Sequence, residues 1–325
     1  MKIESRHDFE RKVAIAWLSL GTRAASRGRA AVAHVTVLKS IGNVSVMKHR
    51  SAAPRQSSPT LTEHPHPPHV EDRIRHSAMY GETTKETGMS YIEGFVAAVP
   101  RANKEAYRQH AADALGYFKK LGATRMVENW GDDVPDGKVT DFKRSVKAKP
   151  DEDIIFSWLE YPDKATRDSA NNAMMNDPVM KLAGKSMPFD GQRMIWGGFA
   201  PINDTGDAGK PGYVDGCVIP VPAANLDAYR EMADKHAAVL IEYGATRTVD
   251  AWGDDVPDGK VTDYKGAVQA TKDERIVYSW VEWPSKEARD AGWKKAMEDP
   301  RMKDAKMPFD GKRMIYGGFK PILDA

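Results

Sequence analysis

The chain has one cysteine, Cys217, among 325 residues, so no disulfide can close within it, and the usage suits a reducing, cytoplasmic setting. No apolar run reaches the roughly 20 residues that a membrane-spanning helix needs. The most apolar early stretches, Val13–Leu20 and Ala31–Leu38, are far shorter. No G-x-G-x-x-G, Walker loop, Cys-His pairing or G-x-S-x-G elbow occurs, so nucleotide-dependent and triad chemistry lack support and no cofactor is expected. A net basic charge is missing from most of the chain. The net charge is +2, yet the excess of Lys and Arg lies before Met89, and the rest is mildly acidic. Nucleic-acid binding calls for a basic patch or stripe. Neither nucleic acid nor membrane is therefore an expected partner.

What is present is a duplication. Gly131-Asp-Asp-Val-Pro-Asp-Gly-Lys-Val-Thr-Asp141 recurs letter for letter at Gly253–Asp263, and around it Tyr91–Ile202 reappears as Tyr213–Ile322. The offset is 122 positions up to Asp177-Pro178 and 120 beyond. Solenoid repeats run about 20–50 residues, so this unit is too long for one and long enough for a small domain. Cys217 aligns with Phe95, which suits a small hydrophobe packed in a strand rather than a nucleophile. The expected organisation is a leader over 1–88, one domain over 89–202, a linker over 203–212 and a second domain over 213–325.

The leader resembles neither copy. It holds seven of the nine histidines, and its Ser, Arg, Pro and His content reads as disorder. His64-Pro-His66-Pro-Pro-His69 has no carboxylate or thiol at ligand spacing, so no metal is expected there. Met89-Ser-Tyr-Ile leads straight into the first strand, which fits a natural start at Met89 and a non-native upstream extension.

Within a copy, Tyr91–Val99 reads as a strand that stops at Pro100. Asn103–Leu121 reads as a helix with an apolar stripe through Tyr107, Ala111, Ala114, Phe118 and Leu121, ended by Gly122. Strands are expected over Ala123–Trp130, Asp153–Tyr161 and Arg193–Phe199, with a second helix from Asp163 towards Asp177-Pro178. The order β-α-β-β-α-β predicts an α+β, ferredoxin-like sheet with both helices on one face. Yet the third strand is apolar on both faces: Ile154, Phe156 and Trp158 on one, Ile155, Leu159 and Tyr161 on the other. Helices cover one face, and a second sheet must cover the other. Two ferredoxin-like domains packed sheet to sheet into one intrachain barrel would do so, which also predicts a monomer.

The Gly-Asp-Asp-Val-Pro-(x)-Gly-Lys-Val-Thr run resembles the uncharacterised bacterial YbaA-like family. So do Phe156-Ser-Trp158 with Tyr161-Pro162, the Asp-Pro helix end, and Met307-Pro-Phe-Asp-Gly-Lys-Arg-Met-Ile-Tyr-Gly-Gly-Phe319. The resemblance covers nearly all of 89–202 and 213–322, and it implies the dimeric α/β-barrel superfamily. That superfamily includes cofactor-independent monooxygenases, haem-handling proteins and small-molecule binders. The family has no established activity, so the resemblance carries over no catalytic residue.

The acidic loop fails as a calcium site: with Asp132 as its first position, Val134 and Lys143 fall where oxygen ligands are required. A Pro-Asp-Gly turn accounts for the same letters. Glu93, Glu128 and Glu160 lie on the first three strands, matched by Asp215, Asp250 and Glu282. Glu160 shares a face with Phe156 and Trp158, where a carboxylate can serve as an acid or base. Arg193 and Arg313, at the expected start of the last strand, could equally neutralise it. His110 and His236 lie on the first-helix stripe but not at equivalent turns. Glu160, Glu282, His110 and His236 are therefore the catalytic candidates. Trp158, Trp280, Arg193, Arg313, Glu93 and Asp215 are the ligand-binding ones. Function reads as binding of a small organic ligand, with or without cofactor-independent catalysis; the rival is a non-catalytic structural or interaction module.

Overall fold

A computed structural model describes residues 90–176, 187–303 and 307–325. The leader lies outside them. The first repeat runs β1 (Tyr91–Pro100), α1 (Lys104–Lys120), β2 (Arg125–Asp133), the single-turn α2 (Phe142–Ser145), β3 (Glu152–Tyr161), α3 (Lys164–Asn176) and β4 (Ile195–Gly206). The second supplies β5 (Tyr213–Pro222), α4 (Leu226–Glu242), β6 (Arg247–Asp255) and α5 (Tyr264–Ala267). It continues through β7 (Glu274–Trp283), α6 (Lys286–Glu298), α7 (Pro300–Lys303) and β8 (Ile315–Asp324). α1 and α4 stop where Gly122 and Gly244 take positive φ, 99° and 105°, a conformation that favours glycine after a helix end. Among the described residues no helix is long and apolar enough to cross a membrane.

The eight strands close into one antiparallel barrel in the order β1-β3-β2-β8-β5-β7-β6-β4. The expected intrachain barrel is thus present, and its two sheets join edge to edge into a single continuous one. The reason lies in the last strand of each repeat. β4 pairs with β1 through Ile195–Phe199, bulges, and then pairs with β6 as far as Gly206 opposite Arg247. β8 likewise leaves β5 for β2. Asn203–Gly206, expected as flexible linker, is consumed by this pairing, so the connection shrinks to 207–212. Arg193 ends a 3-10 turn ahead of β4 rather than starting the strand.

Alternation sorts the side chains. Ile154, Phe156 and Trp158 point into the barrel with Ile276, Tyr278 and Trp280. Phe156 stacks on Tyr278 at 4.4 Å between ring centroids, and Trp158 stacks on Trp280 at 4.4 Å. The stack needs glycine beside it: a Cβ on Gly94 would lie 2.9 Å from the Tyr278 ring, and one on Gly216 would lie 2.8 Å from that of Phe156. On the outer face, Ala111, Ala114 and Phe118 of α1 pack with Met126, Leu159 and Tyr161. The third strand's two apolar faces are both buried, one under helices and one against the other repeat.

The duplicated acidic segment ties the repeats together reciprocally. Its Gly-Asp-Asp ends β2 and β6 as strand rather than opening a loop. Asp132 accepts from Tyr213 at 3.1 Å and from Lys320 at 2.5 Å, while Asp254 accepts from Tyr91. Thr140 donates to the Ala267 carbonyl, and Thr262 to that of Ser145. Asp141 and Asp263 cap α2 and α5. Apart from the Lys320 contact, whose counterpart position holds Ala200, each of these bonds has its mirror in the other copy. Such pairing explains identity across this segment where the first helices have diverged.

Candidate functional site

β1 turns Glu93 and Phe95 towards the helices while Ile92 and Val96 face the barrel axis. The Asp163 carboxylate accepts from the Thr166 backbone N–H at 2.7 Å, capping α3. From there α3 presents Lys164, Arg167, Asp168, Asn171 and Met174 at 3–4 spacing, all lining one cavity. That cavity, of about 440 Å³, lies between α3, the end of α1 and the outer face of β1, β3 and β4. Phe118, Leu159 and Trp196 supply much of its apolar wall, and Asp255 reaches in from the second repeat. Its size suits a small organic molecule.

Arg167, only 1% exposed, organises the polar end. Its Nε donates to Glu93 Oε2 at 3.2 Å, and its Nη1 donates to Asp168 at 3.0 Å and to Asp255. Its Nη2 is buried with no partner among the described residues, as is the Tyr161 hydroxyl on neighbouring β3. Burial pushes the Glu93 carboxyl above its ordinary range, against the pull of Arg167 and of a hydrogen bond from Asn171. Burial, then the charge of Glu93, raises the Tyr161 hydroxyl.

The equivalent place in the second repeat holds two indoles. Asp215 accepts from Arg289 Nε at 2.8 Å, from Trp283 Nε1 at 2.9 Å and from Trp293 Nε1 at 2.7 Å. Trp283 stands where the first repeat has Tyr161, and Trp293 where it has Asn171. Glu93 and Asp215, paired in sequence, thus sit in unlike surroundings.

The remaining sequence candidates fall elsewhere. Glu160 and Glu282 point into one end of the barrel beside Trp158 and Trp280, whose indole N–H groups each donate to the neighbouring carboxylate at 3.1 Å. Arg247 donates to Glu160 at 2.8 Å and Arg125 to Glu282 at 2.9 Å. Burial works to raise the Glu160 carboxyl, but bonds and charge from Arg247, with Trp158 and Arg125, hold it below its ordinary range. This is a closed ionic cluster with no unpaired base. Arg193 and Arg313, the expected partners, instead grip Glu152 and Glu274, each at 2.6 Å. They sit too early in the chain segment to reach the barrel end, because β4 and β8 begin after them.

His110 and His236 do not line the cavity. His110 lies edge-on to Phe189 at 6.4 Å, and burial depresses it to about 4. Burial also lowers His236. The residues that sequence reasoning missed are Arg125, Arg167, Arg247 and Asp255. A signal was there: Arg125 and Arg167 recur 122 positions on as Arg247 and Arg289.

Glu128 lies beneath α1, fully buried, accepting from Tyr107 at 2.7 Å and Ser157 at 2.6 Å. Burial pushes its carboxyl from 4.5 up to about 7, with bonds from Ser157 and Tyr107 pulling back. A native state that holds a proton more tightly than the unfolded one loses stability as pH rises from about 4.5 through 7. Glu128→Gln is expected to change little at about pH 4 and to stabilise by about 3 kcal/mol at about pH 8. Urea titrations at both pH values check this, and equal effects at the two would contradict it.

A family model described as "Protein of unknown function (DUF1428)" matches residues 90–191 and again 212–311. The uncharacterized protein YbaA of Escherichia coli strain K12 is 60% identical over 116 residues, which are 36% of this chain and 99% of YbaA. YbaA of Shigella flexneri matches to the same extent. The solved structure of an anthrone oxidase-like protein overlays 74% of this chain and 94% of its own, with a TM-score of 0.44 at 10% identity. So slight a likeness carries no argument here.

Proposed function

Since the chain belongs to the family of unknown function DUF1428, whose name assigns no reaction, we propose a function from the site itself: the first repeat binds a small organic molecule between α3 and the sheet. The second repeat serves as its built-in partner, closing the barrel and lending Asp255 to the cavity. On this reading the chain acts as a cytoplasmic monomer. The observation that carries it is the cavity of about 440 Å³ ending on the buried Glu93–Arg167 pair. A buried arginine nitrogen without a partner is costly unless something completes it. A mostly apolar molecule with one or two polar groups fits such walls. The rival reading, a purely structural module, draws on the closed cluster around Glu160 and Glu282, and we assign it to that end of the barrel alone.

A thermal-shift screen of small organic molecules against the whole chain tests the proposal. A binder at 100 times its Kd should add about 2.7 kcal/mol. Asn171→Trp, which copies the second repeat, should abolish that shift, while Glu160→Gln with Glu282→Gln should leave the affinity unchanged. Hits indifferent to Asn171→Trp would remove the site from this cavity.

A further inference from the structure

We infer that the first-repeat cavity takes a flat, indole-sized aromatic ring carrying an N–H or O–H donor, because the second repeat holds such a ring of its own in the equivalent place. This rests on the ligand-binding reading above and names the class of molecule.

The ring is the Trp293 side chain. At the constant offset of 122, Trp293 corresponds to Asn171, Asp215 to Glu93, Val281 to Leu159, Leu240 to Phe118 and Ala296 to Met174. The last four residues of the first repeat line the cavity together with Asn171. In the second repeat, Trp293 and Val281 pack against the cluster that contains Leu240 and Ala296, and Trp293 donates its indole N–H to Asp215 at 2.7 Å. The space open in one repeat is thus occupied in the other by an aromatic bicycle bonded to the strand carboxylate.

Polar bookkeeping points the same way. Asp215 takes donors from three side chains: Arg289, Trp283 and Trp293. Glu93 has lost both indoles. In their stead stand Asn171 and Tyr161, and the Tyr161 hydroxyl is buried without a partner among the described residues. A carboxylate has about four lone-pair sites, so Glu93 has room for one more donor. A further anion would meet Glu93, Asp168 and Asp255 together and be repelled. A saturated chain would fill the volume yet bring no donor to Glu93 or to the Tyr161 oxygen. A ring with a donor for Glu93 answers the vacancy, and an oxygen on the same ring would suit Arg167. Phe95 and Phe118, where the second repeat has Cys217 and Leu240, add aromatic wall on which a flat ring can pack edge or face.

Indole is the probe, with indene as its isostere lacking the N–H, each titrated calorimetrically into the full chain. Indole should bind once per chain and about fivefold tighter than indene, the worth of one hydrogen bond. Asn171→Trp should abolish binding. Trp293→Asn should open a second site, taking the stoichiometry from one to two. Should Asn171→Trp fail to fold, the indole–indene ratio and the Trp293→Asn stoichiometry still decide. Equal affinity for indole and indene overturns the inference, as does indole binding that Asn171→Trp leaves untouched. If aliphatic hits from the screen are lost in Asn171→Trp while indole does not bind, the ligand-binding reading stands and this aromatic class falls. If Asn171→Trp alters the binding of nothing, both fall.

Discussion

Replacing Arg247 by methionine is expected to cost the fold about 3–5 kcal/mol, the range for removing one partner of a buried ion pair. Arg247 is 3% exposed and holds Glu160 at 2.8 Å and Asp204 at 2.8 Å while lying over the Trp280 ring. Without it, Glu160 keeps only Arg125 at 3.4 Å and the Trp158 N–H. A carboxylate stranded in the barrel end is then the dominant penalty, larger than the lost packing. Arg247→Lys should recover part of the loss, because an ammonium cannot fork between two carboxylates as a guanidinium does. Urea denaturation followed by tryptophan fluorescence measures both variants. A loss below about 1 kcal/mol would mean the cluster behaves like an exposed ion pair.

Tyr278→Ala should be comparably severe, about 3–5 kcal/mol for a large aromatic cut from a core. Tyr278 belongs to the second repeat, yet its ring stacks on Phe156 of the first and its hydroxyl donates to the Ser157 carbonyl at 2.8 Å. The damage should therefore spread to both repeats. Calorimetry of the variant is expected to show one transition at lower temperature. Two separated transitions, with the first repeat melting at its original temperature, would show that the repeats are stabilised independently. The barrel argues against independence, since β4 and β8 each complete the other repeat's sheet.

The element order was legible because its signals are local. The stripe through Tyr107, Ala111, Ala114 and Phe118 announced α1, and the doubly apolar β3 announced that its inner face needed cover from the other copy. The barrel was legible, but the edge-to-edge pairing that joins its two sheets was not. It depends on bulges at Gly198/Phe199 and Pro201/Asn203 that carry β4 past its own repeat, and Asn203-Asp-Thr-Gly206 reads as a polar linker when its pairing partner is unknown. The site was half legible. Glu93 read as a strand carboxylate and ligand-binding candidate, but which arginine would meet it is a matter of tertiary approach, and Arg167 read only as part of the second helix. The pairing of Asn171 with Trp293 was visible in the repeat alignment, but its meaning depends on knowing that both face the strand carboxylate.

The central claim is that the first repeat keeps an open cavity over its strand carboxylate where the second repeat places Trp293. A crystal of the full chain pressurised with xenon tests it directly, because xenon settles in apolar cavities and marks them by its electron density. The account predicts density beside Phe118, Leu159 and Met174, and none beside Trp293 or on the barrel axis between Trp158 and Phe156. Density at matching places in both repeats, or in neither, would contradict it.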